Sequence, residues 1–474
     1  MASRSSVRHN GGLREKSPRL SSQHNSRDTA LPQHRADVEN GHRRPPKKSG
    51  PVRVKPAGES GRRGLHPLHF FKIIWRSTSW LSRAVNILWP IVPAAIAVHY
   101  ALPERHLLGF ILAYIAMIPC ANLIGFAGQE LARKMPHVLG VLTETTIASI
   151  VEIILFMILL RHDQITLIKG AILGSILANM LLCLGVCFMA SGVRRADTTF
   201  DETISEAGSG LLLTAGVGLA VPAIYERSLS TAIEEGLITQ SSIDANVLGI
   251  SHAVAILLLI SYFVFIWFQT ATHHGLFTAV LEYDEERDHD RVKDMHKDKL
   301  TLTECIVALA VSVTLVTIIA VALVQEIPYI IEEHNITDPF MGLILVPLVE
   351  KAAEHLTAID EAWDNQMNFA LIHCVGATLQ TALLNTPLVV IVGWGYGQPM
   401  DLNFEIFDIA MLILAILTVG NFLRDQKTNY LEGFLCVVVY VAIAVAAFYY
   451  PSAEEGSSGE TTTEQLVARA MSTI

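Results

Sequence analysis

Eleven stretches of this chain are long and apolar enough to cross a bilayer, which narrows the possible folds more than any other feature. A helix needs about 20 apolar residues to span hydrocarbon. The runs fall at 84–102, 107–127, 138–160, 165–192, 209–226, 247–270, 302–325, 339–359, 368–395, 403–423 and 430–450. Hydrophobic residues make up 51% of the sequence and charged ones 17%, which excludes a large soluble enzyme. The eighth run is weakly apolar because it holds Glu350, Lys351 and Glu354, so it spans only if those charges face a polar interior.

Two of the runs carry a glutamate near the middle, and the segments around them read as diverged copies of one unit. Glu152 and Glu354 are each followed twelve residues later by a Gln (Gln164, Gln366) and ten residues after that by a Gly and a small residue (Gly174-Ser175, Gly376-Ala377). A carboxylate at membrane depth costs about 2.5–3.5 kcal/mol on insertion scales, so a duplicated one has a function. One leading helix followed by five and five more gives copies that enter the membrane from opposite sides. The expected fold is therefore an all-α polytopic membrane protein with about eleven transmembrane helices, built as a leading helix and two inverted five-helix repeats. Its cation site is expected where the repeats meet. The corresponding regions are a disordered basic tail (1–83), the leading helix (84–106), the first repeat (107–270), a charged linker (271–301), the second repeat (302–450) and a polar C-terminal tail (451–474).

The net charge of −10 says little, because the charges are segregated: 18 of the 35 Lys and Arg lie in residues 1–83. The others mostly mark one side (Arg133-Lys134, Arg194-Arg195, Arg287 to Lys299, Arg424, Lys427), and the opposite loops hold only Arg105, Arg161 and Arg227. The positive-inside rule then places the N-terminus in the cytoplasm. The sequon at Asn335 falls in a loop of the opposite side. Residues 1–66 have almost no apolar clusters and are expected to be disordered, either as a solvated tail or as one that touches anionic lipid. The first apolar run begins near residue 84, so no cleavable signal is expected. The linker 281–300 reads as a solvated helix whose acidic half can gather cations at the cytoplasmic mouth. It lacks the D-x-D-x-D-G pattern of a calcium-sensing loop. All six Cys lie within spans and read as small apolar fillers, with neither a disulfide framework nor a zinc site indicated.

Helical periodicity puts Thr145, Ser149 and Glu152 on one face of the third span, with Glu144 near the same stripe. In the fourth span Gly174, Ser175 and Asn179 bring small and polar groups to another face. In the second copy Glu350 and Glu354 are four apart, as are Lys351 and His355, and Thr378, Gln380 and Thr381 repeat the polar pattern. Two helix pairs thus offer several oxygens. A hard cation such as Ca²⁺ takes about 6–8. The same carboxylates bind protons, and competition between proton and metal for one pair of glutamates is an exchange mechanism.

At these residues the chain resembles the CAX calcium/proton exchangers of the cation/calcium exchanger superfamily. The likeness runs over roughly 84–450 and rests on GAILGSILANMLLCLG at 170–185, AAEHLTA at 352–358 and GATLQ at 376–380. It implies that Glu152 and Glu354 bind the transported cation, as the metal ligands, in turn with protons. It also implies that Ser175 and Gln380 line the same site and that His355 is the family's histidine, which relays protons or packs between helices. Where the family has Gly-Asn ahead of each glutamate, this chain has Ala148-Ser149 and Glu350-Lys351. Ser149 still offers an oxygen. Lys351 cannot, since an ammonium only donates. If Lys351 points into the site it weakens Ca²⁺ binding and favours a monovalent ion. If it pairs with Glu350 or snorkels to the interface, the Ca²⁺ site survives, and Glu350 is then a compensating carboxylate or merely the lysine's partner.

The expected function is proton-coupled cation antiport, Ca²⁺/H⁺ exchange loading an acidic vacuole, with Na⁺ or K⁺ as the alternative ion. A channel explains the repeat less well. No Walker motif, HExxH or other protease arrangement points to an enzyme, and no cofactor beyond the transported cation and protons is implied. The expected partners are the bilayer and inorganic cations, not nucleic acid.

Overall fold

A computed structural model of the protein describes residues 60–450, except 61, 63, 77, 78, 290–295 and 335. Most of the basic N-terminal tail, the C-terminal tail, the sequon Asn335 and the middle of the charged linker lie outside the described residues.

Ten helices are long and apolar enough to cross a membrane: Trp80–Ala101, His106–Ala132, His137–Arg161, Ile165–Arg194, Glu202–Ile233, Gln240–Thr272, Leu302–His334, Met367–Tyr396, Ile406–Asp425 and Tyr430–Phe448. The eleventh element, 338–363, is interrupted, and its charged residues remove it from that set. It sits eighth in the chain, where the weak apolar run was expected. The protein is an integral membrane protein of all-α architecture, with one leading span and two sets of five. Its only described strands are two-residue segments, Thr198–Thr199 and Lys427–Thr428, which pair antiparallel and tie the end of the fourth span to the start of the eleventh.

Landmarks of the two copies recur 202 residues apart, the separation of Glu152 from Glu354. Asp163 and Asn365, the turn residues after the third and eighth spans, both adopt positive φ (58° and 74°). The fourth span widens into a π turn at Ala178–Cys183, and the ninth does so at Thr381–Asn385. The third span breaks at Ser149 (ψ −8°) and the eighth at Lys351 (ψ −2°), far from the ψ of about −42° in a regular helix. These breaks are the counterparts of one another.

Close backbone approach locks the two halves together. A Cβ on Gly174 would lie 2.2 Å from the Leu343 carbonyl oxygen and 2.5 Å from Pro347 Cγ, so only glycine lets the fourth span meet the eighth at this distance. Gly170 faces Gly342 one turn earlier, with a Cβ clearance of 3.1 Å.

Two regions differ from the sequence expectation. Residues 67–76, inside the stretch assigned to the disordered tail, form a helix, Pro67–Arg76, that buries Ile73 and leaves Leu68, Phe71 and Trp75 exposed beside Lys72. Its apolar face is too small to register as a span, which is why the tail reading absorbed it. The start of the linker is not simply solvated either. Asp284, on the helix His274–Arg287, is buried and accepts from the Asn368 backbone N–H (2.7 Å), the Asn368 amide Nδ2 (2.9 Å) and the Phe369 N–H (3.3 Å). It thereby satisfies the free N–H groups that open the ninth span. Burial pushes its carboxyl above the ordinary range, against the pull of these donors.

Candidate cation site

The two helix breaks put both glutamates in the same local setting. Glu152 is the third residue of the half-helix Ile150–Arg161, and Glu354 is the third of Ala352–Trp363. A carboxylate in the first turn is favoured by the positive end of the helix dipole. Both side chains are buried, 1% and 8% exposed, and both reach the ammonium of Lys351. Lys351 Nζ donates to Glu152 Oε2 at 2.7 Å and lies 3.2 Å from Glu354 Oε2. The lysine points into the site. It neither snorkels nor hydrogen-bonds to Glu350, which corrects the pairing weighed from the sequence. Consecutive residues of a helix point in different directions: Lys351 meets Glu152 of the third span, and Glu350 meets Ser175 of the fourth.

Each repeat holds a carboxylate of the other. Thr381 Oγ1 (2.8 Å) and Asn385 Nδ2 (2.6 Å), from the second repeat, donate to Glu152 Oε2. Ser175 Oγ, from the first, donates to Glu350 Oε1. Two buried oxygens of the cluster, Glu350 Oε2 and Asn385 Oδ1, have no hydrogen-bond donor, and Glu354 Oε2 has only its ion pair with Lys351. Unpaired buried acceptors are costly. A group of them, carboxylate and amide together, matches the donor set of a hard cation.

The structure brings Glu152, Glu350, Glu354, Lys351 and Ser175 into this cluster. Other sequence candidates lie around it with partners of their own. Gln380 donates to Thr146 Oγ1 (3.2 Å) and Tyr262 OH (3.3 Å). Thr378 bonds back to the Cys374 carbonyl, Thr145 to those of Val141 and Leu142, and Ser149 to that of Thr146. His355 Nε2 and Asn179 Oδ1 are 3.1 Å apart and pair with each other across the repeats. Of the two residues that hold Glu152, Thr381 is one of the polar groups named from the sequence, and Asn385 is not. The 202-residue offset makes Thr381 the counterpart of Asn179, a usable signal. Asn385 corresponds to Cys183, so symmetry alone does not find it.

On the face that carries Arg133 and Arg194, a cavity of about 400 Å³ is lined by Gln129, Leu356, Thr357, Asp360, Glu361 and Asp364, among others. It approaches the cluster along the second half of the eighth span. The acidic residues at the end of that helix, Asp360, Glu361 and Asp364, therefore face a cavity.

The family model described as "Sodium/calcium exchanger protein" matches residues 105–271 and 305–449. The chain belongs to this family. Among its relatives in the exchanger family are a "Vacuolar calcium ion transporter" of Schizosaccharomyces pombe, 32% identical over 72% of this chain and 79% of the relative. Another is a "Ca(2+)/H(+) antiporter" of Aphanothece halophytica, 32% identical over 73% and 91%. A third is the "Vacuolar cation/proton exchanger 3" of Oryza sativa subsp. japonica, 30% identical over 77% and 86%. The solved structure of native YfkE shares the fold, with a TM-score of 0.61 at 23% identity over 77% of this chain and 100% of that one. In this exchanger the cluster occupies the interface of the two five-span sets, and its Glu350-Lys351 pair sits at the second helix break.

Proposed function

We propose that this exchanger is a proton-coupled cation antiporter that trades Ca²⁺ for H⁺ across the membrane of an acidic vacuole, with its N-terminus in the cytoplasm. The observation that carries the reading is the buried cluster in which Glu152 of one repeat and Glu354 of the other share one small volume. Protons and a cation compete for the same oxygens there. Repeats that rock against each other open that volume to one side at a time. The names of the relatives supply Ca²⁺ and the vacuole; the residues supply the exchange.

The charge of the cluster is compatible with a divalent ion. Counted as ionised, three carboxylates against one ammonium leave two negative charges. Glu350 thus offsets Lys351 without bonding to it. A second reading is favoured by the ammonium itself, which touches both repeat glutamates where a transported cation would sit. If it stays there during loading, the two repeat glutamates that it touches keep one negative charge between them, and the ion that they take is Na⁺ or K⁺.

The test is transport by purified protein in liposomes with an acidic interior. Proton release is followed on addition of Ca²⁺, Na⁺, K⁺ or Mn²⁺. Glu152→Gln and Glu354→Gln are each expected to abolish the response to every ion. Retained exchange in either variant ends the proposal.

A further inference from the structure

A second set of titratable groups joins the two repeats outside the carboxylate cluster. His373, on the ninth span, is buried, with Nδ1 2.7 Å from Glu361 Oε2 and Nε2 3.5 Å from Glu144 Oε1. Glu361 belongs to the second half of the eighth span and lines the cavity on the basic face. Glu144 belongs to the first half of the third span, and both carboxylates are largely buried, 16% and 14% exposed.

The other groups around His373 do not compete for its nitrogens. The fourth span presents the thiols of Cys183 and Cys187, which pack on Cys374. Asp284, on the linker helix, is taken up by Asn368 and Phe369. The buried residues of the fifth span are uncharged.

This triad lies on a line with the cation cluster. Glu361 is seven residues after Glu354 on one helix, about 10 Å along its axis. On the shared face Thr357 and Ala358 lie between them, and Thr357 lines the same cavity as Glu361. Glu144 is eight residues before Glu152 on the other helix. The triad also breaks the internal symmetry of the molecule. The 202-residue offset puts Val346, Leu159 and Ala171 at the matching places toward the opposite face, and all three are buried and apolar. A set of groups required only for packing has no reason to be polar on one side alone.

We propose that Glu144, His373 and Glu361 form a proton relay between the buried glutamates and the cavity on the basic face, a route used by protons and not by the cation. The proposal rests on the proton-coupled reading above. A proton reaching Nε2 from the Glu144 carboxyl gives the imidazolium. The proton on Nδ1 then passes to the Glu361 carboxylate and from there to water in the cavity, and the ring resets by rotation. Reverse transfers load the site from the same face.

The experiment compares two modes of one reconstituted protein. Exchange of labelled for unlabelled cation needs no proton, whereas cation-for-proton exchange does. His373→Gln is expected to keep the first near the wild-type rate and to slow the second roughly tenfold or more, the scale of lost acid–base transfer. The pH dependence of proton-coupled exchange should flatten on the basic face. Glu361→Gln should do the same. The relay is overturned if His373→Gln leaves proton-coupled rate and pH profile unchanged, or if it slows both modes equally, as a packing role would. Wild-type protein that exchanges labelled cation but never couples to protons refutes the function and the relay together. Glu152→Gln, which should lose both modes, separates damage to the cation site from damage to the relay.

Discussion

At the scale of single residues, the proposed choice of ion turns on Lys351. Its ammonium is buried against two carboxylates, and removing one partner of such a set costs about 3–5 kcal/mol because the others are left charged and unpaired. Lys351→Asn is therefore expected to lower the unfolding temperature of the protein in detergent when no cation is present. Asn supplies an oxygen where an ammonium stood, so Ca²⁺ should restore stability, by roughly 2.7 kcal/mol at a hundred times its Kd. In liposomes the same variant should gain Ca²⁺-driven proton release relative to Na⁺ and K⁺. Thermal unfolding with and without Ca²⁺ and the four-ion flux comparison check the two halves of this statement. An unaltered ion preference would mean that the wild-type ammonium leaves the site whenever a cation enters. The sequence exposed the question, since a lysine at that position is incompatible with ligation, but not the answer. The direction of Lys351 depends on Glu152 arriving from a segment 199 residues away.

At the scale of elements, the repeat was legible because the spacing of Glu, Gln and Gly survived in both copies. Less legible was where the copies differ in packing. Gly174 and Gly376 are counterparts in sequence, yet a Cβ on Gly174 would strike the Leu343 backbone carbonyl at 2.2 Å, while one on Gly376 would meet only Ile372 Cγ2 at 3.8 Å. Gly174→Ala must move one span against another and is expected to cost about 1–3 kcal/mol or more, with loss of transport. Gly376→Ala makes an ordinary contact and should be neutral or gain up to about 1 kcal/mol from helix propensity. Melting temperature and flux of the two variants, measured side by side, check the contrast. Equal effects would mean that the fourth and eighth spans do not approach as described. Asp284 shows the same limit of sequence reading. A run of mixed charge reads as solvent-exposed, and only the fold reveals that one of its carboxylates caps a membrane helix.

At the scale of the whole molecule, function depends on which face is which. Apolar runs gave the number of spans, and charge segregation gave a direction. What sequence could not give is that the cavity and the His373 triad both lie toward the basic face, because each is assembled from helices of both repeats. If that face is cytoplasmic, the relay returns protons to the cytosol while the cation enters the compartment. The direction is open to a labelling measurement, since the six native cysteines are all buried and leave little background. A cysteine placed at His289, exposed on the basic face, should react with a membrane-impermeant maleimide added to sealed vacuoles. One placed at Glu235, in the exposed turn between the fifth and sixth spans, should react only after the membrane is opened. The positive-inside rule predicts this order, because lysine and arginine beside the ends of the spans are retained on the cytosolic side. The reverse order would keep the fold and the cluster but turn the relay toward the lumen. Its protons would then enter from the acidic side, and the pH dependence expected for His373→Gln would move to that compartment.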